Sequence, residues 1–453
     1  MTQIKTTGTS VSGRLTPQQL ARNFADANPP LSPNQALIES DRCYFCFDAP
    51  CTTACPTGID IPSFIRKIAT GNLKGSAHDI LQQNMMGAVC ARVCPTEVLC
   101  EGACVRNTHE HKPVAIGALQ RHATDWLFTN NIQLFKRGGV TGKRVAVIGG
   151  GPAGLSCAHR LAMLGHAVVV YEARDKLAGL NEYGIAAYKV TDDIAQREVA
   201  YLLDIGGIEV HVNETLGRDI KLSQLRTQYD AVFLGLGLAG VNTLGLEIRH
   251  VSGVYDAVEY IAQLRQAQDL SRLVVGRRVV VIGGGMTAID IASQIKRLGA
   301  EDVTIVYRRG AEHMGASAKE QSWAQTSGVT IKHWGKPLRL LADKGALADV
   351  EFEYTRSNEK GQLVSTGEIF TLVADMLFKA IGQTFVKSAL DNCADLLELK
   401  DGRLAVDVDR KTSLANVWAG GDCIAGGSDL TVVAVEDGKR AAHAIDRSLR
   451  QSP

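Results

Sequence analysis

Two stretches of the chain share one hydrophobic rhythm. Residues 143–174 read K-R-V-A-V-I-G-G-G-P-A-G-L-S-C-A-H-R-L-A-M-L-G-H-A-V-V-V-Y-E-A-R, and residues 277–309 read R-R-V-V-V-I-G-G-G-M-T-A-I-D-I-A-S-Q-I-K-R-L-G-A-E-D-V-T-I-V-Y-R-R. Each opens on an unbroken apolar run, turns at glycines, continues with apolar positions three to four apart, and closes on a second run. Unbroken runs are strands buried on both faces, and the three-to-four spacing is a helix packed on them. Both stretches therefore predict a strand, a glycine turn, a helix and a parallel strand. Shorter apolar runs ending in glycines, at 229–240, 374–383 and 417–424, predict further strands, and a helix is expected from Thr431. The N-terminal third instead carries helical periodicity at 34–42, 61–69, 77–86 and 116–128, with Gly71 and Gly75 as punctuation. Residues 1–35 are polar and aperiodic and read as a mobile arm, and 136–142 reads as a linker.

The glycine turns carry dinucleotide chemistry. In the first copy Gly149 permits the tight turn, Gly151 lets a pyrophosphate approach the backbone, and Gly154 lets helix and strand pack closely. Pro152 and Ala153 open the helix, whose free N–H groups face the anion. In the second copy Gly283 and Gly285 match, Met286 and Thr287 open the helix, and Ala288 takes the third position. One such fingerprint is weak evidence; two, each framed by strands, are strong. The copies differ where the second strand ends. Glu172 stands there in the first, suited to a ribose diol, so that copy is expected to hold FAD. Arg308 and Arg309 stand there in the second, suited to a 2′-phosphate, so NADP(H) is expected before NAD(H). Gly421 and Asp422, in V-W-A-G-G-D-C-I, place a carboxylate where a ribityl chain is bound, with the helix from Thr431 aimed at the flavin. Asp422 lies far from the first fingerprint, so the FAD domain must be discontinuous.

Eight of the eleven cysteines fall between residues 43 and 104: Cys43, Cys46, Cys51, Cys55, Cys90, Cys94, Cys100 and Cys104. Their spacings are 2, 4 and 3, then 3, 5 and 3, with Pro after Cys55 and Cys94. Such groups suit two iron–sulfur clusters. Structural zinc is the rival, but its modules favour paired C-x2-C units; disulfides suit small secreted domains. By counting alone all eight thiolates are ligands. Cys157 and Cys423 fall inside nucleotide-binding segments and read as packing residues.

A length of 453 residues predicts about three domains. A net charge of +1 gives no nucleic-acid footprint, and no apolar run reaches the ~18 residues of a membrane span. A polar N-terminus without a secretory core makes a cytoplasmic chain the expectation. The fold class expected is α/β: a helical two-cluster iron–sulfur domain followed by two Rossmann-like nucleotide-binding domains, the NAD(P)H domain inserted in the FAD domain. The boundaries expected are 1–138 (iron–sulfur), 139–242 and 381–453 (FAD) and 243–380 (NAD(P)H).

These segments, in this order, resemble a known family. D-A-P-C-T-T-A-C-P-T-G-I-D-I-P-S-F-I at 48–65, G-A-V-C-A-R-V-C-P-T-E-V-L-C at 87–100 and I-G-A-L-Q-R-H-A-T at 116–124 are similar to the N-terminal half of dihydropyrimidine dehydrogenase and its bacterial small-subunit counterpart. The small subunit of glutamate synthase is similar too, with a Gly where this chain has Phe47. The resemblance runs from about residue 35 to the end. It implies that Cys43, Cys46, Cys51 and Cys104 hold one 4Fe–4S cluster, that Cys55, Cys94, Cys100 and the side-chain oxygen of Gln120 hold the other, and that Cys90 is unliganded. It also implies flavin contacts from Gly179, Leu180 and Lys189. There the chain departs from the family: Ala178-Gly179-Leu180 replaces G-G-L, and Ile185–Val190 replaces I-P-x-F-R-L, with Lys189 for the Arg. The activity implied is electron input, from NAD(P)H through FAD and two clusters to an FMN-containing partner that reduces uracil or thymine. Since this chain stops after the FAD fold, the FMN barrel is expected on that partner. The alternative is electron supply to the large subunit of glutamate synthase.

Overall fold

The computed structural model describes residues 14–246, 251–393 and 396–451. They form two compact units. One comprises Asn28–Glu182, Asp192–Gly240 and the chain from Thr384 onward; the other comprises the chain up to Ala27, Tyr183–Thr191 and Val241–Gln383.

The first unit begins with the helices of the cysteine region: Pro33–Asp41, Pro50–Ala54, Ile61–Ala69, Leu73–Gln83, Gly87–Val93, Val105–Glu110 and Ile116–Thr129. They are short and depend on caps and a shared core more than on propensity. Ser32 and Gln35 form a reciprocal capping box that starts the helix Pro33–Asp41. Asn72 Oδ1 accepts from Gly75 N at 2.9 Å, so the next helix starts at Leu73 and Gly75 lies inside it rather than between helices. Phe64, Ile65, Ile80, Leu81 and Leu119 are fully buried. The stretch read as a mobile arm is also structured where it is described: Thr16 caps a helix Pro17–Asn23, which belongs to the second unit, while residues 1–13 lie outside the described residues.

The first repeat forms a parallel five-stranded sheet in the order Val417–Ala419, Ala231–Leu234, Arg144–Ile148, Ala167–Glu172, Ile208–Val212. The helices Pro152–Met163 and Thr431–Gln451 pack on each other. Their close approach requires Gly438, where a Cβ would overlap the carbonyl oxygen of Ala153. Ser156 Oγ ties the pair by donating to Val435 O at 2.7 Å. A chain reaching the sheet from residue 417 onward is what makes this domain discontinuous.

The second unit repeats the architecture. Its parallel sheet has the order Val254–Asp256, Met376–Ala380, Arg278–Gly283, Asp302–Tyr307, Thr330–His333. Between the last of these and Met376 lies an antiparallel sheet of Gly335–Asp343, Ala346–Ser357 and Leu363–Val373, broken by register shifts. Its outer strand, Leu363–Val373, is mostly exposed, so the apolar runs that betray the parallel strands are missing. No described helix is long and apolar enough to cross a membrane.

Candidate cofactor sites

The cysteines gather into two neighbouring groups. Cys43 lies within electrostatic reach of Cys46 and Cys104, and Cys51 of Cys104 and Cys43. Cys94 lies against Cys90, within sulfur hydrogen-bonding reach, and near Cys100 and Cys55. The groups adjoin where Cys100 senses Cys51. Burial, with the neighbouring thiols adding, pushes Cys51 up to about 11 and holds Cys43 above the ordinary thiol range; Cys94 is raised first by its hydrogen bond with Cys90 and then by burial. So many thiols at close quarters resist ionisation unless a cation shares their charge. Phe45 N donates to Cys43 Sγ at 3.4 Å from a residue in the left-handed region, φ +51°. Gln120 is buried, and its Nε2 donates to Gly87 O at 2.7 Å. An amide anchored by its nitrogen leaves the oxygen as its ligating atom. Among the described residues no three His, Cys, Asp or Glu side chains close around one point as a single ion requires.

Three side chains tie these helices to the flavin fold of the same unit. Lys439 Nζ donates to Thr57 O at 2.9 Å and Gln83 Oε1 at 3.1 Å. Asn181 is buried between Thr431 Oγ1, which donates to its Oδ1 at 2.8 Å, and Met86 Sδ, to which its Nδ2 donates at 3.2 Å. Glu198 Oε1 accepts from Ala88 N at 2.8 Å, in the first turn of the helix that carries Cys90. Burial pushes the Glu198 carboxyl up to about 8, against its backbone donors and Arg92. Sequence reasoning passed over Asn181 and Glu198. Glu198 did leave a signal: it sits on the apolar stripe of its helix, between Ile194 and Leu202.

Around the first fingerprint the residues fit a dinucleotide. Gly149 has φ +100°, and a Cβ there would overlap the Gly235 carbonyl; one on Gly154 would overlap that of Gly149. Gly151 caps the helix Pro152–Met163 with no side chain on the first-turn N–H groups, and its nearest neighbour for a Cβ is Gly179 Cα at 3.8 Å. Glu172 is fixed by two backbone donors, Gly150 N at 2.8 Å and Arg174 N at 2.9 Å. The next loop folds onto the turn, with Ala178 N donating to Gly150 O at 2.7 Å and a Cβ on Gly179 reaching 2.9 Å from Gly151 Cα. Leu180 begins the short helix after it and is exposed. From the far end of the chain, Gly421 comes within 3.0 Å, as a Cβ, of the Ala153 methyl. Asp422 beside it is partly buried and accepts no hydrogen bond among the described residues; burial, with Asp429 and Asp437 adding and Arg403 opposing, pushes it up to about 6. Such a carboxyl suits a hydroxyl donor. Thr431, by contrast, has its hydroxyl committed to Asn181.

Around the second fingerprint, Gly283 has φ +152° and a Cβ there would overlap Ala380 O, whereas a Cβ at Gly285 would meet nothing within 4 Å. The helix Met286–Arg297, which contains Thr287 and buries Ala288, again starts without a side-chain cap. Neither the Arg308 nor the Arg309 guanidinium is paired with a carboxylate among the described residues; only their carbonyls are engaged, by Thr355 Oγ1 at 2.7 Å and Trp334 N at 3.3 Å. Lys189 lies in this unit, not in the flavin fold's. Its ammonium is 2.8 Å from Asp290 Oδ1 and 2.9 Å from Glu320 Oε2. Burial alone would lower its pKa, but Asp290, Tyr188 and Glu320 more than offset it and hold the charge.

Two dinucleotide folds with opposite charges at their second-strand ends, one fused to a thiol-rich helical segment, define a flavin- and nicotinamide-dependent oxidoreductase with an iron–sulfur domain. Residues 20–132 match the family model described as dihydropyrimidine dehydrogenase domain II, 4Fe–4S cluster, and residues 143–438 match that of the pyridine nucleotide-disulphide oxidoreductases. The chain is 37% identical, over 96% of its length and 99% of the relative's, to a protein of Salmonella typhi named NAD-dependent dihydropyrimidine dehydrogenase subunit PreT homolog. It is 35% identical to the glutamate synthase [NADPH] small chain of Escherichia coli, over 93% of each. Among solved structures, Mycobacterium tuberculosis FprA in complex with NADPH aligns over 68% of this chain and 85% of its own at TM-score 0.57 and 17% identity, a likeness of fold. The chain belongs to the pyridine nucleotide-disulphide oxidoreductase family, among the small subunits of dihydropyrimidine dehydrogenase, and the glutamate synthase small subunits are its near relatives. It is an NAD(P)H-dependent oxidoreductase that carries FAD and 4Fe–4S iron–sulfur.

Proposed function

We propose that this chain is the electron-input subunit of a dihydropyrimidine dehydrogenase, oxidising NADPH in preference to NADH for an FMN-containing partner that reduces uracil or thymine. The observation that carries this reading is the union of cysteine helices and flavin fold in one compact unit, bridged by Lys439, Asn181 and Glu198. The bound groups supply hydride acceptance and one-electron relay; the chain supplies position and field. Glu172 and Asp422 orient the flavin nucleotide, and Arg308 with Arg309 selects the 2′-phosphate. Cys43, Cys46, Cys51 and Cys104 ligate one cluster; Cys55, Cys94, Cys100 and Gln120 ligate the other, with Cys90 spare.

The test is anaerobic dye reduction by the isolated chain, with NADPH and with NADH. Dye turnover without uracil turnover is expected, and Arg308→Gln should lower kcat/KM for NADPH by about tenfold while leaving NADH little changed. Uracil reduction by the isolated chain would sink the reading. Supply of electrons to a glutamate synthase large subunit is the second reading, favoured by a relative of that name and NADPH specificity at nearly equal identity; glutamine-dependent oxidation with the native partner would establish it.

A further inference from the structure

Immediately after Arg308 and Arg309 the chain makes a single helical turn, Ala311–His313, that carries an acidic residue. The Glu312 carboxylate folds back against Gly310, so closely that a Cβ on Gly310 would overlap it. His313 Nδ1 lies 2.8 Å from Glu312 Oε1. The C-terminal side of the turn is tied back to the second strand and the glycine turn. Tyr307 Oη donates to His313 O at 2.7 Å, and Ala316 N donates to Gly284 O at 3.1 Å. The Tyr307 ring itself lies over Gly284, where a Cβ would come within 2.5 Å of it. A carboxylate three residues after Arg309, on a turn tied back to Gly284, stands at the same strand end where a dinucleotide fold places the adenosine ribose.

We propose that Glu312 is a specificity-determining residue that opposes the arginine pair: its charge repels the 2′-phosphate and keeps NADH a usable donor. The proposal rests on the reading of Arg308 and Arg309 as the 2′-phosphate site. Those two cations attract a group carrying up to two negative charges, and an anion on the adjoining turn subtracts from that attraction. A non-phosphorylated ribose meets no such repulsion, and its hydroxyls can donate to the carboxylate instead. Selectivity is thereby set by a difference of charges rather than by the arginines alone.

The experiment measures binding of 2′,5′-ADP and 5′-AMP to the intact flavin-loaded chain by calorimetry, beside the NADPH/NADH ratio of kcat/KM. Glu312→Gln keeps the shape and removes the charge. It is expected to tighten 2′,5′-ADP about three-fold, with 5′-AMP unchanged or weaker, and to raise the NADPH/NADH ratio by the same factor. Glu312→Lys should move both further in the same direction. Equal shifts for the two nucleotides, or none, would overturn the proposal. Arg308→Gln and Arg309→Gln judge the underlying reading separately: if they leave 2′,5′-ADP binding untouched, the arginine site fails whatever Glu312 does.

Discussion

At Ala178 the backbone takes φ +86°, a conformation that costs a Cβ-bearing residue roughly 1–2 kcal/mol. Its N–H donates to Gly150 O, so the loop cannot relax without leaving the flavin turn. The sequence marks this residue as a departure from a glycine, but only the backbone shows why glycine belongs there. Ala178→Gly should raise stability by about 1 kcal/mol, read as a higher urea midpoint at unchanged slope. Asp422 makes the opposite kind of demand. Its folded pKa of about 6 lies above the unfolded value of roughly 3.9, so the folded protein holds the extra proton between these values. Stability of the flavin-free chain should therefore fall as pH rises from about 4 to 6, by at most about 3 kcal/mol, and stay lower above that. Asp422→Asn should flatten this dependence in urea titrations while weakening retention of FAD, which a purely structural carboxyl would not do.

At the scale of elements, glycine turns and buried strands were legible because their signal is local: spacing, apolar runs and residues a few positions apart. What the sequence could not show are pairs far apart along the chain. Lys189 meets Glu320 across 131 residues, and no periodicity announces it. Removing the ammonium leaves Asp290 buried without its counter-charge, so Lys189→Met should cost about 3–5 kcal/mol, whereas Lys189→Arg should be tolerated better in the same thermal melts. Gly438 was likewise silent, a glycine inside a long helix explained only by the crossing helix beneath it. Among the cysteine helices, ligand choice is the open element. Cys90→Ser should retain about eight irons per chain, four for each cubane, while Gln120→Ala should lose or alter one cluster, visible in iron content and in low-temperature paramagnetic spectra.

At the scale of the molecule, the order of segments was plain in the sequence: a cysteine-rich iron–sulfur segment first, then the paired nucleotide folds. The division of the chain was less so. Residues 14–27 and Tyr183–Thr191 belong to the unit of the second fingerprint, although they stand among the iron–sulfur and flavin segments. Among their anchors are long-range hydrogen bonds, such as Asn23 Nδ2 to Arg297 O at 2.9 Å and Ala187 N to Gln294 Oε1 at 2.9 Å, which carry no sequence signature. The claim that unites all three scales is electron input to a pyrimidine-reducing partner. The most direct measurement is anaerobic reduction of uracil and thymine by NADPH, and separately by NADH, with this chain alone and then co-purified with its native partner. Dihydropyrimidine formation only in the presence of the partner, faster with NADPH, is the expected result. Pyrimidine reduction by the chain alone, or a partner that oxidises the nucleotide only when glutamine is supplied, would contradict it.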